Sequence, residues 1–220
     1  MKLTSLRSKA RWSTAAMTFK TFLISLILSV AATANAQTLD KPTFKVGDHW
    51  KWTIVDSLTK RPEGTIDIVV AKIGDTVEFS APGSTDIVET WDLDGRMLTR
   101  GSEKRAYDSP IPWPLQKGKK YSTVISWKNS QGHEGGTNSK IELVGFEEVV
   151  VPAGKFMAAK LVTSDTSYSA SLGRSWRERY VWWRAVDTGV FVRWTFEGYT
   201  ACGAPLYSTI AELVEHSSAR

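Results

Sequence analysis

The chain contains a single cysteine, Cys202, and only three histidines, His49, His133 and His216. One cysteine cannot form a disulfide within the chain, so packing alone has to stabilise the fold. We expect Cys202 to be either a buried apolar side chain or a free thiol. The sequence also lacks HExxH, CxxC, Gly-x-Ser-x-Gly and phosphate-binding glycine motifs. It therefore predicts no metal site, no cofactor and no catalytic residues.

Acidic residues are missing from the first 36 positions, where five basic residues lie. An apolar run from Phe22 to Ala32 is followed by Ala34-Asn35-Ala36. This pattern is typical of a secretory signal peptide with a small-x-small cleavage site, and it predicts cleavage after Ala36. A start at Met17, with Lys20 as its charge, would give a more typical signal than a start at Met1. We therefore assign residues 1–36 to a signal peptide and residues 37–220 to a single domain.

The segment 37–220 has no excess of either charge, because five of the 28 Lys and Arg residues belong to the leader and 23 Asp and Glu remain opposite the other 23. Neutralising phosphates requires a basic surface, so this balance disfavours a nucleic-acid partner. No apolar run after the leader approaches the roughly 18 residues of a transmembrane helix. No cysteine lies directly after Ala36, at the cleavage site, for acylation, and no Asn-x-Ser/Thr sequon is present. These absences favour a bacterial periplasmic or secreted protein.

Short segments with period-two alternation dominate the chain from Asp48 onward, and they are rich in β-branched and aromatic residues. Clusters of Gly, Asp, Asn, Ser and Pro separate them, which is typical of antiparallel strands joined by turns. The predicted strands are 49–55, 64–73, 75–80, 87–91, 96–100, 120–128, 140–151, 156–167, 176–184, 190–196 and 206–215. We predict a mainly β fold of about ten strands with little helix.

Two irregular segments interrupt the alternation. Residues 101–119 contain Pro110, Pro112 and Pro114, which cannot donate to a β-ladder, so they predict an extended strap with Trp113 packed inward. Residues 129–137 are polar and glycine-rich, and they predict a mobile loop.

Aromatic side chains are the most abundant candidates for a functional site, with ten Trp, six Tyr and eight Phe in the chain. Tryptophan offers a large rigid surface and one polar N–H, which suits a core and equally a pocket for an apolar or sugar ligand. Arg177, Arg179, Arg184 and Arg193 flank the last aromatic strands and could meet an anionic group, or could simply be solvated. The predicted ligand-binding residues are Trp50, Trp52, Trp127, Tyr180, Trp182 and Trp194.

Acid–base chemistry has weaker candidates. Neighbouring residues of a strand point to opposite faces, so Asp48 cannot orient His49. The pair Asp92 and Asp94 belongs to a turn, and Glu147-Glu148 straddles a strand, so neither resembles the two carboxylates of a glycosidase. A calcium ion at the Asp92 turn would need further oxygen ligands.

Four motifs give the chain a family resemblance. They are Phe44-Lys45-Val46-Gly47-Asp48-His49-Trp50, Val149-Val150-Val151-Pro152-Ala153-Gly154-Lys155-Phe156, Tyr180-Val181-Trp182-Trp183-Arg184 and Asp187-Thr188-Gly189-Val190-Phe191-Val192-Arg193. With them the chain resembles uncharacterised bacterial periplasmic proteins that have the half-barrel fold of the lipoprotein carriers LolA and LolB. The resemblance implies one strongly curved antiparallel sheet around an apolar cavity, with a strap at its mouth. The carriers use this shape for acyl chains and have no catalytic residues.

We therefore expect a non-enzymatic exported protein that binds a lipid, an acyl chain or another hydrophobic or amphipathic ligand. Two alternatives remain open at this point. One is a structural or interaction protein with a packed interior, whose edge strand or strap recruits a partner in the cell envelope. The other is a glycan-active enzyme, which would need Glu89 or Glu178 paired with another acid in a cleft.

Overall fold

The computed structural model describes residues 38–219, so the predicted signal peptide lies outside the described residues. Every regular element of these residues is a β-strand, and no helix occurs among them. The strands are β1 (Thr38–Leu39), β2 (His49–Asp56), β3 (Pro62–Ile73), β4 (Thr76–Ser80), β5 (Ile87–Asp92), β6 (Met97–Arg100), β7 (Glu103–Tyr107), β8 (Leu115–Gln116), β9 (Lys120–Lys128), β10 (Glu134–Val151), β11 (Gly154–Ser169), β12 (Arg174–Ala185), β13 (Phe191–Thr200) and β14 (Pro205–Ser217).

Twelve of these strands form one closed antiparallel barrel in the order β10-β11-β12-β13-β14-β2-β3-β4-β5-β6-β7-β9. The expectation of an antiparallel, mainly β fold is confirmed, but the expected open half-barrel of about ten strands is wrong. The first and last barrel strands, β2 and β14, pair from Thr209↔Asp56 to Ser217↔His49. This pairing joins two strands that would otherwise be sheet edges with unpaired N–H and C=O groups.

The core at one end of the barrel is formed by the residues that alternate toward the inside along each strand. Trp50 and Phe79 are almost fully buried and lie with ring centroids 5.9 Å apart. Phe44, in the segment before β2, packs its ring edge-on against Trp50, Phe79 and Trp91 at 6.2–6.3 Å. Aromatic pairs in this geometry add to the free energy gained by burying their area. The segment that precedes the barrel thus helps to fill its end.

The β10–β11 hairpin reaches across the same end. Its turn residue Ala153 donates its N–H to the carbonyl of Leu213 on β14, and the Arg193 guanidinium donates to the carbonyl of Val150. Val149 and Val151 are buried in the core with Leu213. A register shift at Leu143/Gly145 interrupts the regular ladder of the hairpin, and such shifts bend a strand.

The predicted strap 101–119 is wrong in its first part, because Glu103–Tyr107 is the barrel strand β7. The strap is the segment that follows β7, and its strand β8 forms a separate two-stranded sheet with β1. β1 and β8 pair at Thr38↔Gln116 and Leu39↔Leu115, and both leucines are buried. They pack with Leu143, Ala159 and Leu161 of the barrel. The proline-rich segment is therefore fixed over the barrel by apolar contacts, and Trp113 packs against the same cluster, as predicted.

The predicted loop 129–137 is wrong in its second half, because β10 begins at Glu134. A Cβ on Gly135 would overlap the ring of Trp127 and the carbonyl oxygen of Tyr168, and a Cβ on Gly136 would meet the ring of Tyr168. These glycines therefore provide space for aromatic rings inside a strand, whereas composition alone suggested flexibility.

Replacing Gly135 tests this close approach. Gly135→Ala is expected to lower the free energy of unfolding by about 1–3 kcal/mol, because a backbone carbonyl of the paired strand has to move. Gly64→Ala on β3 is the matched control, since nothing lies within 4 Å of its Cβ position. Urea denaturation of both variants measures the difference, and equal stabilities would contradict the packing described for Gly135.

Candidate functional site in the barrel interior

The barrel encloses a cavity of about 440 Å³. Side chains from every barrel strand except β4 line it, together with the strap residues Ile111, Trp113 and Leu115. Protein interiors are close-packed and have few voids larger than one water molecule. A volume of this size falls instead in the range of sites for small-molecule ligands, roughly 300–1,000 Å³.

Four of the six predicted ligand-binding residues line this cavity, namely Trp52, Tyr180, Trp182 and Trp194. Trp50 lies outside it. Its side chain belongs to the core at the barrel end and borders a void of only about 10 Å³, barely enough for one water. Trp127 is also outside the cavity lining, and its ring packs against Trp176 at 5.9 Å.

The aromatic wall of the cavity is continuous across β12 and β13. The rings of Tyr180 and Phe196 stack at 4.2 Å with an interplanar angle of 11°, and Tyr180 and Trp182 stack at 5.0 Å and 9°. Trp182 in turn lies 5.8 Å from Trp194. Stacked rings restrict each other's side-chain rotation, so the wall is largely pre-formed for a ligand.

Phe191 and Phe196 were missed as cavity residues, although both line it. Phe196 shares the alternation of Trp194, so the pattern could have identified it. Phe191 pairs with Arg184 only after a register shift at Trp183/Arg184. Simple alternation with Trp194 places Phe191 on the opposite face, and the sequence gives no signal for the shift.

An ion pair forms part of the cavity wall on β5 and β6. The Glu89 side chain is almost fully buried, and its carboxylate accepts from Arg100 Nε at 2.6 Å and from Trp91 Nε1 at 2.9 Å. Both carboxylate oxygens therefore have partners, which a buried charge requires.

A second carboxylate, that of Asp165 on β11, lines the cavity without a basic partner in hydrogen-bond contact among the described residues. Burial raises the pKa of Asp165 to about 6, the nearby Glu178 adds to the rise, and the hydroxyl of Ser139, which donates at 2.7 Å, opposes it. Glu178 lies directly opposite Asp165 in the strand register. Its oxygens accept from Ser167 and Tyr207 at 2.8 and 2.9 Å, and Glu178 is not among the lining residues.

Arg184 also lines the cavity, at the end of β12 nearest the strap. It is only 3% exposed, and burial lowers the pKa of its guanidinium to about 10, so it is charged at neutral pH. Its Nε donates to the carbonyl of Gly189 at 2.6 Å. The other arginines of this region differ: Arg177 and Arg179 are exposed, and Arg193 pairs with Glu212.

The other candidate groups among the described residues do not belong to the cavity. Cys202 is exposed with a free thiol, so the second of its two expected states is confirmed and the buried side chain is wrong. His49 pairs with Asp67 at 2.7 Å on neighbouring strands. Residues 38–219 contain no cluster of three or more His, Cys, Asp or Glu that could hold a metal. Among them, no helix has the length and hydrophobicity to cross a membrane.

Comparisons with known proteins give a likeness in fold only. No protein-family model matches the sequence, and neither does any curated protein. Among solved structures, a "putative lipoprotein" from Parabacteroides distasonis is 15% identical, with a TM-score of 0.51 over 82% of this chain and 99% of that one.

Two further structures reach lower scores. An exported protein with a YmcC-like fold from Bacteroides fragilis is 12% identical, with a TM-score of 0.49 over 83% of this chain and 100% of that one. The hypothetical lipoprotein YmcC from Escherichia coli is 11% identical, with a TM-score of 0.48 over 96% of this chain and 100% of that one. These comparisons do not confirm the resemblance to LolA and LolB, which stays a prediction. What the Parabacteroides distasonis structure does show is that this chain shares its fold with a known bacterial β-protein.

Proposed function

We propose that this protein is an exported, non-enzymatic binding protein that holds an apolar or amphipathic ligand, such as a lipid or an acyl chain, inside its barrel. The observation that carries the proposal is the cavity of about 440 Å³ with its stacked aromatic wall. An apolar cavity of roughly 150 Å³ already binds a ligand as large as benzene.

The hydrophobic effect supplies enough free energy for such binding. Burying roughly 200 Å² of ligand at about 25 cal/mol per Å² would contribute about 5 kcal/mol before the cost of association. The stacked rings of Tyr180, Trp182 and Phe196 lower that cost, because they need little rearrangement.

Each of the two alternatives has less support. A structural protein with a packed interior does not account for the volume inside the barrel. A glycan-active enzyme would use Asp165 and Glu178, which face each other across β11 and β12. Both oxygens of Glu178 are engaged by Ser167 and Tyr207, however, and only Asp165 reaches the cavity lining.

Export rests on the leader sequence, with its basic residues, apolar run and Ala34-Asn35-Ala36. The leader places the binding site in the periplasm or outside the cell. An envelope protein that delivers or receives the ligand is a compatible partner, and we propose no nucleic-acid partner.

Tryptophan fluorescence and native mass spectrometry test the proposal together. We expect protein purified from its own host to carry a lipid-sized added mass, and we expect dodecanol to change the fluorescence of the delipidated protein in a saturable way. Trp182→Leu should remove much of that change, because its ring lies in the wall. Trp183→Leu is the matched control, since Trp183 follows on the same strand, lies outside the cavity lining and donates to Glu147. No added mass and no response to dodecanol, dodecanoate or phospholipid would overturn the proposal.

A further inference from the structure

The charge of Arg184 has no counterion among the described residues. None of their carboxylates lies within 4.0 Å of it, and its only hydrogen bond runs from Nε to the carbonyl of Gly189. The terminal nitrogens of the guanidinium thus have no acceptor there. A charged group that is 97% shielded from solvent strongly favours an acceptor of opposite charge.

Neighbouring charges do not supply that acceptor. Asp94 influences Arg184 only at longer range, and its own carboxylate pairs with Lys41 at 2.9 Å and lies 3.8 Å from Arg96. Asp92 pairs with Arg96 at 2.7 Å. Lys41 and Arg96 therefore offset the charges of Asp94 and Asp92, and the positive charge of Arg184 has no ion-pair partner among the described residues.

Two aromatic rings lie close to the guanidinium. Its central carbon lies 5.4 Å from the centre of the Trp113 ring and 5.3 Å from that of Phe191. Trp113 Nε1 is itself buried with no hydrogen-bond partner. The Arg184 guanidinium and the Trp113 indole are thus neighbouring groups with N–H donors that have no acceptor among the described residues, and unsatisfied buried polar groups are rare in native proteins.

We propose that Arg184 binds the anionic head group of the cavity ligand, a carboxylate or phosphate, and that the ligand is therefore an anionic amphiphile. The inference rests on the proposed function and adds the class and orientation of the ligand. The guanidinium fork binds the oxygens of such a group in a bidentate manner. The tail extends from Arg184 along Trp182 and Tyr180, which follow it on the inward face of β12 over about 13 Å.

A series of ligands with one chain length separates the head group from the tail. Dodecanoate and dodecyl phosphate are expected to bind the wild-type protein at least roughly tenfold more tightly than dodecanol, by isothermal titration calorimetry at equal ionic strength. A preference for only one of the two anions would identify the source of the head group as a fatty acid or a phosphorylated lipid.

Substitution of Arg184 removes the proposed interaction while keeping the apolar stem. In Arg184→Met, both anions should bind only as tightly as dodecanol binds to the same variant. Arg177→Met is the matched control, because Arg177 is exposed on the same strand, and it should keep the full preference. Melting temperatures verify that each variant is folded.

The outcomes distinguish this inference from the proposed function. If dodecanol and dodecanoate bind the wild-type protein equally, the cavity binds ligands but Arg184 does not select their charge, and the inference fails alone. If no member of the series binds, the proposed function fails as well. Should Arg184→Met not fold, Arg184→Lys keeps the charge but loses the bidentate fork, and an undiminished preference there would overturn bidentate recognition.

Discussion

Phe79→Ala is expected to lower the free energy of unfolding by about 3–5 kcal/mol. Phe79 is fully buried on β4, with ring centroids 4.7 Å from Trp91 and 5.9 Å from Trp50. The truncation removes both contacts and leaves a cavity that rigid neighbouring rings cannot fill. This core closes the barrel end, and therefore the loss should affect the whole fold.

Urea denaturation followed by tryptophan fluorescence measures this loss. Leu58→Ala is the control, because Leu58 is 86% exposed and its truncation should change stability by no more than about 0.5 kcal/mol. A cost below about 1 kcal/mol for Phe79→Ala would show that the barrel end is not packed as described.

Asp165→Asn is expected to stabilise the protein by about 3 kcal/mol at pH 8 and to have little effect below pH 4. The folded-state pKa of Asp165 is raised from 3.8 to about 6, mainly by burial. The folded protein therefore favours the protonated carboxyl, and stability falls as pH rises between these two values because the buried group has to ionise. Asparagine stays neutral and can still accept from Ser139, which donates to Asp165 at 2.7 Å.

The measurement is the free energy of unfolding of both proteins from pH 3.5 to pH 8. Comparing variant and wild type at each pH cancels the contribution of most other titrating groups. Asp86→Asn, at an exposed position, should show no such pH-dependent difference. A difference that does not depend on pH would contradict the raised pKa of Asp165.

Most strands of the barrel could be predicted from the sequence, because half-buried strands leave a period-two pattern. Lys120–Lys128 has the predicted bounds, and His49–Asp56 differs by one residue. β7 (Glu103–Tyr107) could not be predicted, since Glu103-Lys104-Arg105 carries no apolar alternation and its pairing with β6 and β9 defines it. Closure of the barrel depends on the long-range register of β2 with β14, which local patterns do not encode.

The aromatic residues of the candidate site could be predicted from the sequence in part. Alternation places Trp52, Tyr180, Trp182 and Trp194 on inward faces, and all four line the cavity. Trp50 has the same alternation, but its depth along the strand puts it in the closed core. The depth of a residue in the barrel depends on where along its strand the barrel ends, and the sequence of one strand does not specify that position. The separation of Arg184 from carboxylates is likewise a property of the tertiary structure. The sequence does not distinguish Arg184 in this respect from Arg177 and Arg179, which lie on the same strand.

A crystal structure of the mature protein grown with 12-bromododecanol tests the central claim most directly, because bromine is located by its anomalous scattering. The account predicts a bromine peak inside the barrel, within contact distance of the wall formed by Tyr180, Trp182 and Trp194. An interior filled by the protein's own side chains, or bromine found only on the outer surface, would contradict it.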